Sequence, residues 1–247
     1  MYIAPKQFFD GERVSAMDGA KLFNELTSLI NETNCFLKMS GFDTPAPATE
    51  LRERFLAMPA ERQARLLNDF ALTNEIYCEL EEPPRLFDRR TELNVLSRFL
   101  KKARLRIPHD DLLDRVSEGD IIEIYDMNNV QIYRSWNCFR VSSYSLAELL
   151  VFPFDVLYDR PSWVLEKLMS VIGTVLGPDL PIVDFNDFGV PEYVMNERFH
   201  GHNNTIQFKM KYCAAIVNDR HEPAAMLSTG RARVLDAPKT QQKLSFI

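Results

Sequence analysis

Five cations crowd one short stretch of this sequence: Arg98, Lys101, Lys102, Arg104 and Arg106. Residues 85–106 hold 8 basic and 2 acidic residues, net +6, whereas residues 1–84 and 107–247 each carry net −6. A basic belt of this kind can dock an acidic protein, a nucleotide or a nucleic acid, and any binding to phosphates would depend strongly on salt. The same cations could instead complement the end of a helix, at about 0.3–1 kcal/mol each, or pair with the acidic first region. No run of interleaved aromatics and no helix-turn-helix pattern accompanies them. Nucleic acid is therefore the weakest of these partners, and sequence-specific DNA binding is not expected.

His200, His202, Asp219 and His221 are the other residues whose types could do chemistry, as metal ligands. The strand between the two turns that carry them has about a dozen residues at roughly 3.3 Å each. That puts the turns at opposite ends, too far apart for one ion, so no metal site is expected. The sequence has no G-x-S-x-G, H-E-x-x-H or P-loop, the motifs that would place a nucleophile, a zinc ion or a phosphate. Asp110-Asp111 and Glu81-Glu82 lie beside loop prolines and read as solvated carboxylates. No catalytic residue is assigned, and the expectation is a protein that is not an enzyme.

The 247 residues are 46% apolar and 26% charged with a net charge of −6, which fits a globular chain of one large or two small domains and excludes wholesale disorder. Nine glycines leave little backbone for wrapping phosphates. The longest apolar patches, Leu149 to Phe154 and Val171 to Leu176, fall far short of the ~18–20 residues that span a bilayer. Met1 to Glu12 lacks a secretion-signal pattern, so the expected location is cytoplasmic, with no membrane partner. Cys35, Cys78, Cys138 and Cys213 form no C-x-x-C and read as free thiols.

The elements that must position these residues fall into two regions. Helical periodicity predicts Asp18 to Met39, Ala60 to Glu79 and Thr91 to Ala103, separated by Pro45-Pro47 and Pro83-Pro84. After a short turn at Asp110 to Val116 the period changes. Ile121 to Tyr125 and Val130 to Arg134 read as a hairpin across Met127-Asn128-Asn129. Ser145 to Leu150 and Pro161 to Val175 read as helices, and 177–189 as a loop. Three strands close the region: Tyr193 to Phe199, Thr205 to Val217 and Ala224 to Leu235.

Ser143-Tyr144-Ser145-Leu146-Ala147-Glu148-Leu149-Leu150 resembles the "G-Y-S-x-E-E-L-L" segment of the PAS domain family, with Ser143 where Gly is common. Pro153-Phe154-Asp155-Val156-Leu157-Tyr158 is similar to the short helix that follows it. Tyr212 to Leu227, with the turn Asn218-Asp219-Arg220-His221-Glu222-Pro223, resembles the family's last hairpin, His221-Glu222 standing where Gly is frequent. The order of elements over residues 116–236 is also that of the family. The resemblance implies an α+β fold: a five-stranded antiparallel sheet with helices on one face, its first two and last three strands joined side by side. The expected organisation is a helical region over 1–115, the PAS-like domain over 116–236, and a tail over 237–247. Asp187-Phe188-Gly189 with Pro191-Glu192 has the letters of protein-kinase landmarks, but in too compressed an order and without the other kinase segments.

A sheet and helices of this type enclose either a ligand pocket or a filled core, and both stay open here. Strand parity turns Ile122, Ile124, Val130 and Ile132 of the first hairpin inward, with Phe208, Met210, Tyr212, Met226 and Ser228 of the last strands. Val164, Leu168 and Val171 would face them from the long helix. The expected ligand-binding set is Ile124, Ile132, Val164, Leu168, Met210, Tyr212 and Ser228, and the expected partner-binding set is the five cations above. No cofactor is expected: Asn137-Cys138-Phe139-Arg140 precedes Tyr144, where the flavin-binding run of the family does not belong, and 161–176 has no His to ligate haem. The resemblance implies a regulatory protein that senses a small ligand or relays a signal to a protein partner, plausibly as a homodimer. No output module is expected after residue 236, so any output is expected from the helical region or from another protein. The alternatives are an adaptor with a filled core and a nucleic-acid-associated regulator using 85–106.

Overall fold

The computed structural model describes residues 19–42, 44, 50–80, 89–127, 130–152, 154–198 and 204–236. The Asp18 cap, the Pro45-Pro47 and Pro83-Pro84 breaks, the Asn128-Asn129 turn, His200, His202 and the tail 237–247 lie outside the described residues.

Among the described residues four helices come first: α1 (Gly19–Met39), α2 (Leu51–Leu56), α3 (Ala60–Cys78) and α4 (Arg89–Lys102). α2 was not expected; the other three bury the stripes their periodicity predicts, such as Leu22, Leu26, Leu29 and Ile30 of α1 and Val95, Leu96, Phe99 and Leu100 of α4. Pro59 precedes α3 in an extended conformation, φ −55° and ψ 142°, which suits the entry to a helix because its missing N–H would have had no partner there.

The rest of the chain is built on an antiparallel sheet, so the fold is α+β. Its strands are β1 (Leu105–Arg106), β2 (Ile121–Asp126), β3 (Gln131–Arg134), β4 (Tyr158–Asp159), β5 (Val183–Asp184), β6 (Tyr193–Glu197), β7 (Thr205–Asn218) and β8 (Pro223–Asp236). A 3₁₀ turn, Asp110–Arg115, falls where a short turn is expected. The sheet has eight strands rather than five, in the order β3-β2-β8-β7-β6-β4, with β1 and β5 also on β7. One edge of β7 is taken along its length by β8, while β6, β5 and β1 share the other in succession. The extra strands are two-residue pairings, β5 inside the segment expected to be loop. β1 and β5 exist because a fourteen-residue β7 leaves donors and acceptors that the shorter β6 cannot meet, and β4 pairs the outer edge of β6.

Helices α5 (Asn137–Val141), α6 (Leu146–Val151), α7 (Phe154–Leu157) and α8 (Ser162–Val175) join β3 to the last three strands. The Ser-Tyr-Ser segment fastens them. Ser145 and Glu148 form a reciprocal capping box on α6, and Tyr144 donates its hydroxyl to the Leu157 carbonyl at 2.6 Å. Glu197 of β6 accepts from the Ser143 amide at 2.7 Å, from the Ser143 hydroxyl and from the Asn204 amide at 3.1 Å. At the hairpin of β7 and β8 the Asn218 side chain accepts from the amides of Arg220 and Glu222 at 2.9 and 3.1 Å. His221 takes the left-handed backbone there, φ 64°.

Helices cover both faces of the sheet, not one. On one face Phe99 of α4 meets Tyr133 of β3, ring centroids 4.9 Å apart, and Trp136 after β3 lies against Tyr77 of α3 and Phe36 of α1 at 5.5 and 6.2 Å. On the other face lies α8. The buried apolar side chains of the two regions form one continuous cluster, so burial within it serves both at once. A polar strut crosses the seam: Asn137 Nδ2 donates to Glu92 of α4 and to the Asp120 carbonyl, each at 3.0 Å. Burial pushes the Glu92 carboxyl up to about 7.

Gly230 of β8 sits under the Phe208 ring: a Cβ there would lie 2.7 Å from Phe208 Cζ and 3.0 Å from the Lys209 carbonyl oxygen. Gly230→Ala is therefore expected to destabilise the fold by about 1–3 kcal/mol, the usual cost of overpacking, measured by urea unfolding. The same change made in a Phe208→Leu background should cost less; an equal cost in both would show that the ring is not the obstacle.

Candidate functional site

Between the sheet and α8 lies a cavity of ≈ 570 Å³. Its floor is set by strand pairing. Glu123 of β2 lies opposite Ser228 of β8, and Ser228 opposite Cys213 of β7, so these three side chains form one row across the cavity face. Tyr125 and Met226 form the next row. Leu168, Met169 and Ile172 of α8 make the roof, with Leu165 and Met169 partly in solvent. Arg62 and Arg160 also line this cavity.

The floor is polar at one end. Glu123 accepts from Gln131 Nε2 at 2.6 Å, and the same nitrogen reaches the Tyr125 hydroxyl at 3.2 Å. Burial raises the Glu123 carboxyl above the usual range, although Arg160, Arg134 and the Gln131 bond oppose it. Burial likewise pushes the Cys213 thiol up to about 12, which makes it a poor nucleophile. Away from this end the walls are apolar, among them Phe185, Tyr193, Met195, Phe208 and Met210. A mostly apolar enclosure with a few placed polar groups is the usual form of a small-molecule site.

Of the residues expected to bind a ligand, the structure brings Leu168, Met210 and Ser228 to this cavity. Val164 is fully buried and does not line it. Ile124 lies on the opposite face, paired with Tyr133 under α4. The parity of β2 is thus the reverse of that expected, because a strand covered on both faces buries both sets of side chains and apolar character no longer marks the cavity side. Tyr212 is also on the opposite face. A bulge at Lys211 breaks the register between Met210 and Tyr212, so Phe208 and Met210 face the cavity before it and Cys213 after it. Arg115 lies over the Tyr212 ring, 5.6 Å from its centroid. Ile132 lines a second, smaller cavity of ≈ 360 Å³ between α3 and β3.

Three of the five belt cations are held within the chain. Lys102 pairs with Glu75 and Glu79 of α3, each at 2.8 Å, and Arg98 with Glu79 at 3.4 Å. Arg106 contacts the His221 ring, 2.9 Å from Nε2. Lys101 and Arg104 are exposed, Arg104 with a left-handed backbone at φ 54°. Among the described residues no cluster of His, Cys, Asp and Glu could hold a metal ion, and no helix is long and apolar enough to cross a membrane.

Glu123, Tyr125, Gln131, Cys213 and Arg160 were not legible as site residues. The one available signal was the acidic residue in Ile121-Ile122-Glu123-Ile124-Tyr125, since a carboxylate inside a buried strand requires a polar enclosure. No family model matches this chain, and no curated protein matches its sequence.

A carboxyl whose folded pKa exceeds its unfolded value opposes folding once it ionises, so its penalty grows as pH climbs from the unfolded value through the folded one. Glu123→Gln is expected to equal the wild type in stability in acid, where both side chains are neutral, and to exceed it in alkali. Urea unfolding across the pH range checks this; a variant less stable than wild type in alkali would show that the Arg134 and Arg160 charges outweigh burial.

Proposed function

We propose that the protein is a non-enzymatic regulator whose residues 116–236 form a PAS-like sensory domain, with the ≈ 570 Å³ cavity as the ligand site. The observation that carries this reading is that cavity, apolar over most of its wall and polar at the Glu123 end. The strand order supports it: β3-β2 beside β8-β7-β6 joins the first hairpin to the last three strands, as the resemblance implies. So do the motif residues, since Ser143, Tyr144 and Ser145 fix α6 to β6 and thereby one end of the enclosure. A ligand there would touch both α8 and the sheet, and the sheet's other face carries α4, so occupancy on one side can bias packing on the other. The intramolecular pairing of Arg98 and Lys102 speaks against 85–106 as the main nucleic-acid surface.

Native mass spectrometry of the full chain, purified from cells under mild conditions, tests this. The expected result is a retained small molecule at fixed stoichiometry, and its loss in Leu168→Trp, which fills the roof of the cavity. A ligand at about 100 times its Kd stabilises a folded chain by about 2.7 kcal/mol, so re-addition should raise the wild-type unfolding midpoint and leave that of the variant unchanged. A chain that carries nothing, and is stabilised only by a protein partner, would instead support the adaptor reading.

A further inference from the structure

The smaller cavity is lined by two arginines that each have one buried nitrogen without a partner. Arg134 of β3, only 8% exposed, donates through Nη2 to the Leu149 carbonyl at 2.7 Å. Its Nη1 is buried without a partner. Glu123, its cross-strand neighbour, is bonded instead to Gln131. Arg62 of α3 forms no ion pair among the described residues, and its Nε is likewise buried without a partner. Both arginines line the same ≈ 360 Å³ space. An unmet buried donor costs about 1–3 kcal/mol, and more when it is charged, so two such groups in one cavity call for an acceptor.

The chemistry of the walls narrows what that acceptor can be. Leu66, Phe70, Phe139, Leu146 and Leu150 supply apolar surface. The acids present are Glu61, Asp69 and Asp126. Arg65 bonds Asp126 at 2.5 Å and lies 3.7 Å from Asp69, whereas Arg62 and Arg134 make no ion pair with the acids of this cavity, Arg134 lying beside Glu123 of the neighbouring strand. Burial pushes the Asp69 carboxyl up to about 7, lessening its repulsion of an anion. A guanidinium recognises carboxylate and phosphate alike, but a phosphate would leave oxygens facing the apolar walls without donors, whereas a monocarboxylate needs only one polar end.

We propose that this cavity binds a small monocarboxylate with an apolar body, its carboxylate held by the guanidinium groups of Arg62 and Arg134. Such a ligand would join α3 to β3, and so tie the first helices to the sheet at a place that adjoins the larger cavity, with Arg62, Val130, Gln131 and Leu150 lining both.

Isothermal titration calorimetry of the full chain with sodium octanoate, kept below its micellar range, tests this, with 1-octanol and inorganic phosphate as controls. Octanoate is expected to saturate a single site, with both controls at least about tenfold weaker, a difference equivalent to 1.4 kcal/mol or more. Arg62→Gln should weaken octanoate at least about tenfold while keeping the unfolding midpoint, because Arg62 is only partly buried and unpaired. Arg134→Gln should do the same where it folds. Leu168→Trp should leave octanoate binding unchanged, which separates this site from the larger cavity. The proposal is overturned if octanoate does not bind, if Arg62→Gln binds it as the wild type does, if either control binds as tightly, or if Leu168→Trp abolishes binding.

Discussion

Fourteen residues of β7 lie against fourteen of β8, and side chains alternate faces along a strand, so the register of this one pair decides what the larger cavity contains. The bulge at Lys211 shifts that register in mid-strand. Without it, Tyr212 would face the roof and Cys213 would not. The bulged residue is itself fastened. Lys211 Nζ reaches Asp120 at 2.6 Å, and its carbonyl accepts from the Phe185 amide at 2.9 Å. Phe185 lines the cavity, so one irregular residue both sets the floor and positions part of the wall.

Asp120 shows how the buried charges are made tolerable. Its side chain has no exposure, and it accepts from Lys211, from Arg231 at 3.2 Å and from the Ser117 amide at 2.8 Å. Removing one partner of such a group usually costs about 3–5 kcal/mol, because the other charge is left in the interior. Glu197 is satisfied in the same way by amides and hydroxyls. Arg62 and Arg134, by contrast, each keep one buried nitrogen without a partner.

Much of the fold was legible because amphipathic periodicity reports the burial of one face. The longer helices α1, α3, α4 and α8 and the last three strands lie close to where their stripes place them, while the short α2 and α5 were not expected, and the Ser145 and Glu148 pair is visible as a cap in the sequence itself. Two-residue strands such as β5 carry no pattern to read and exist only because β7 has an open edge. The cavity side of β2 was illegible for a different reason. Its burial is nearly continuous, so Ile122 and Ile124 are as buried as any cavity residue while lying on the far face. The Lys211 bulge depends on a partner more than ninety positions earlier, Asp120, and no local window contains that information. Arg98 and Lys102 likewise stand out as a run of charge, while their partners Glu75 and Glu79 lie on another helix.

The outermost strands of the sheet are β3 and β4, four and two residues long. A strand added from another molecule gains affinity from every main-chain bond it can make, and here it would find very few. Of the two long strands, β7 has strands along both edges, whereas β2 covers the outer edge of β8 only over 225–230. Among the described residues, 231–236 of β8 have no strand on that outer edge, so it is there, rather than at β3 or β4, that a strand from another molecule would find the longest run of main-chain partners.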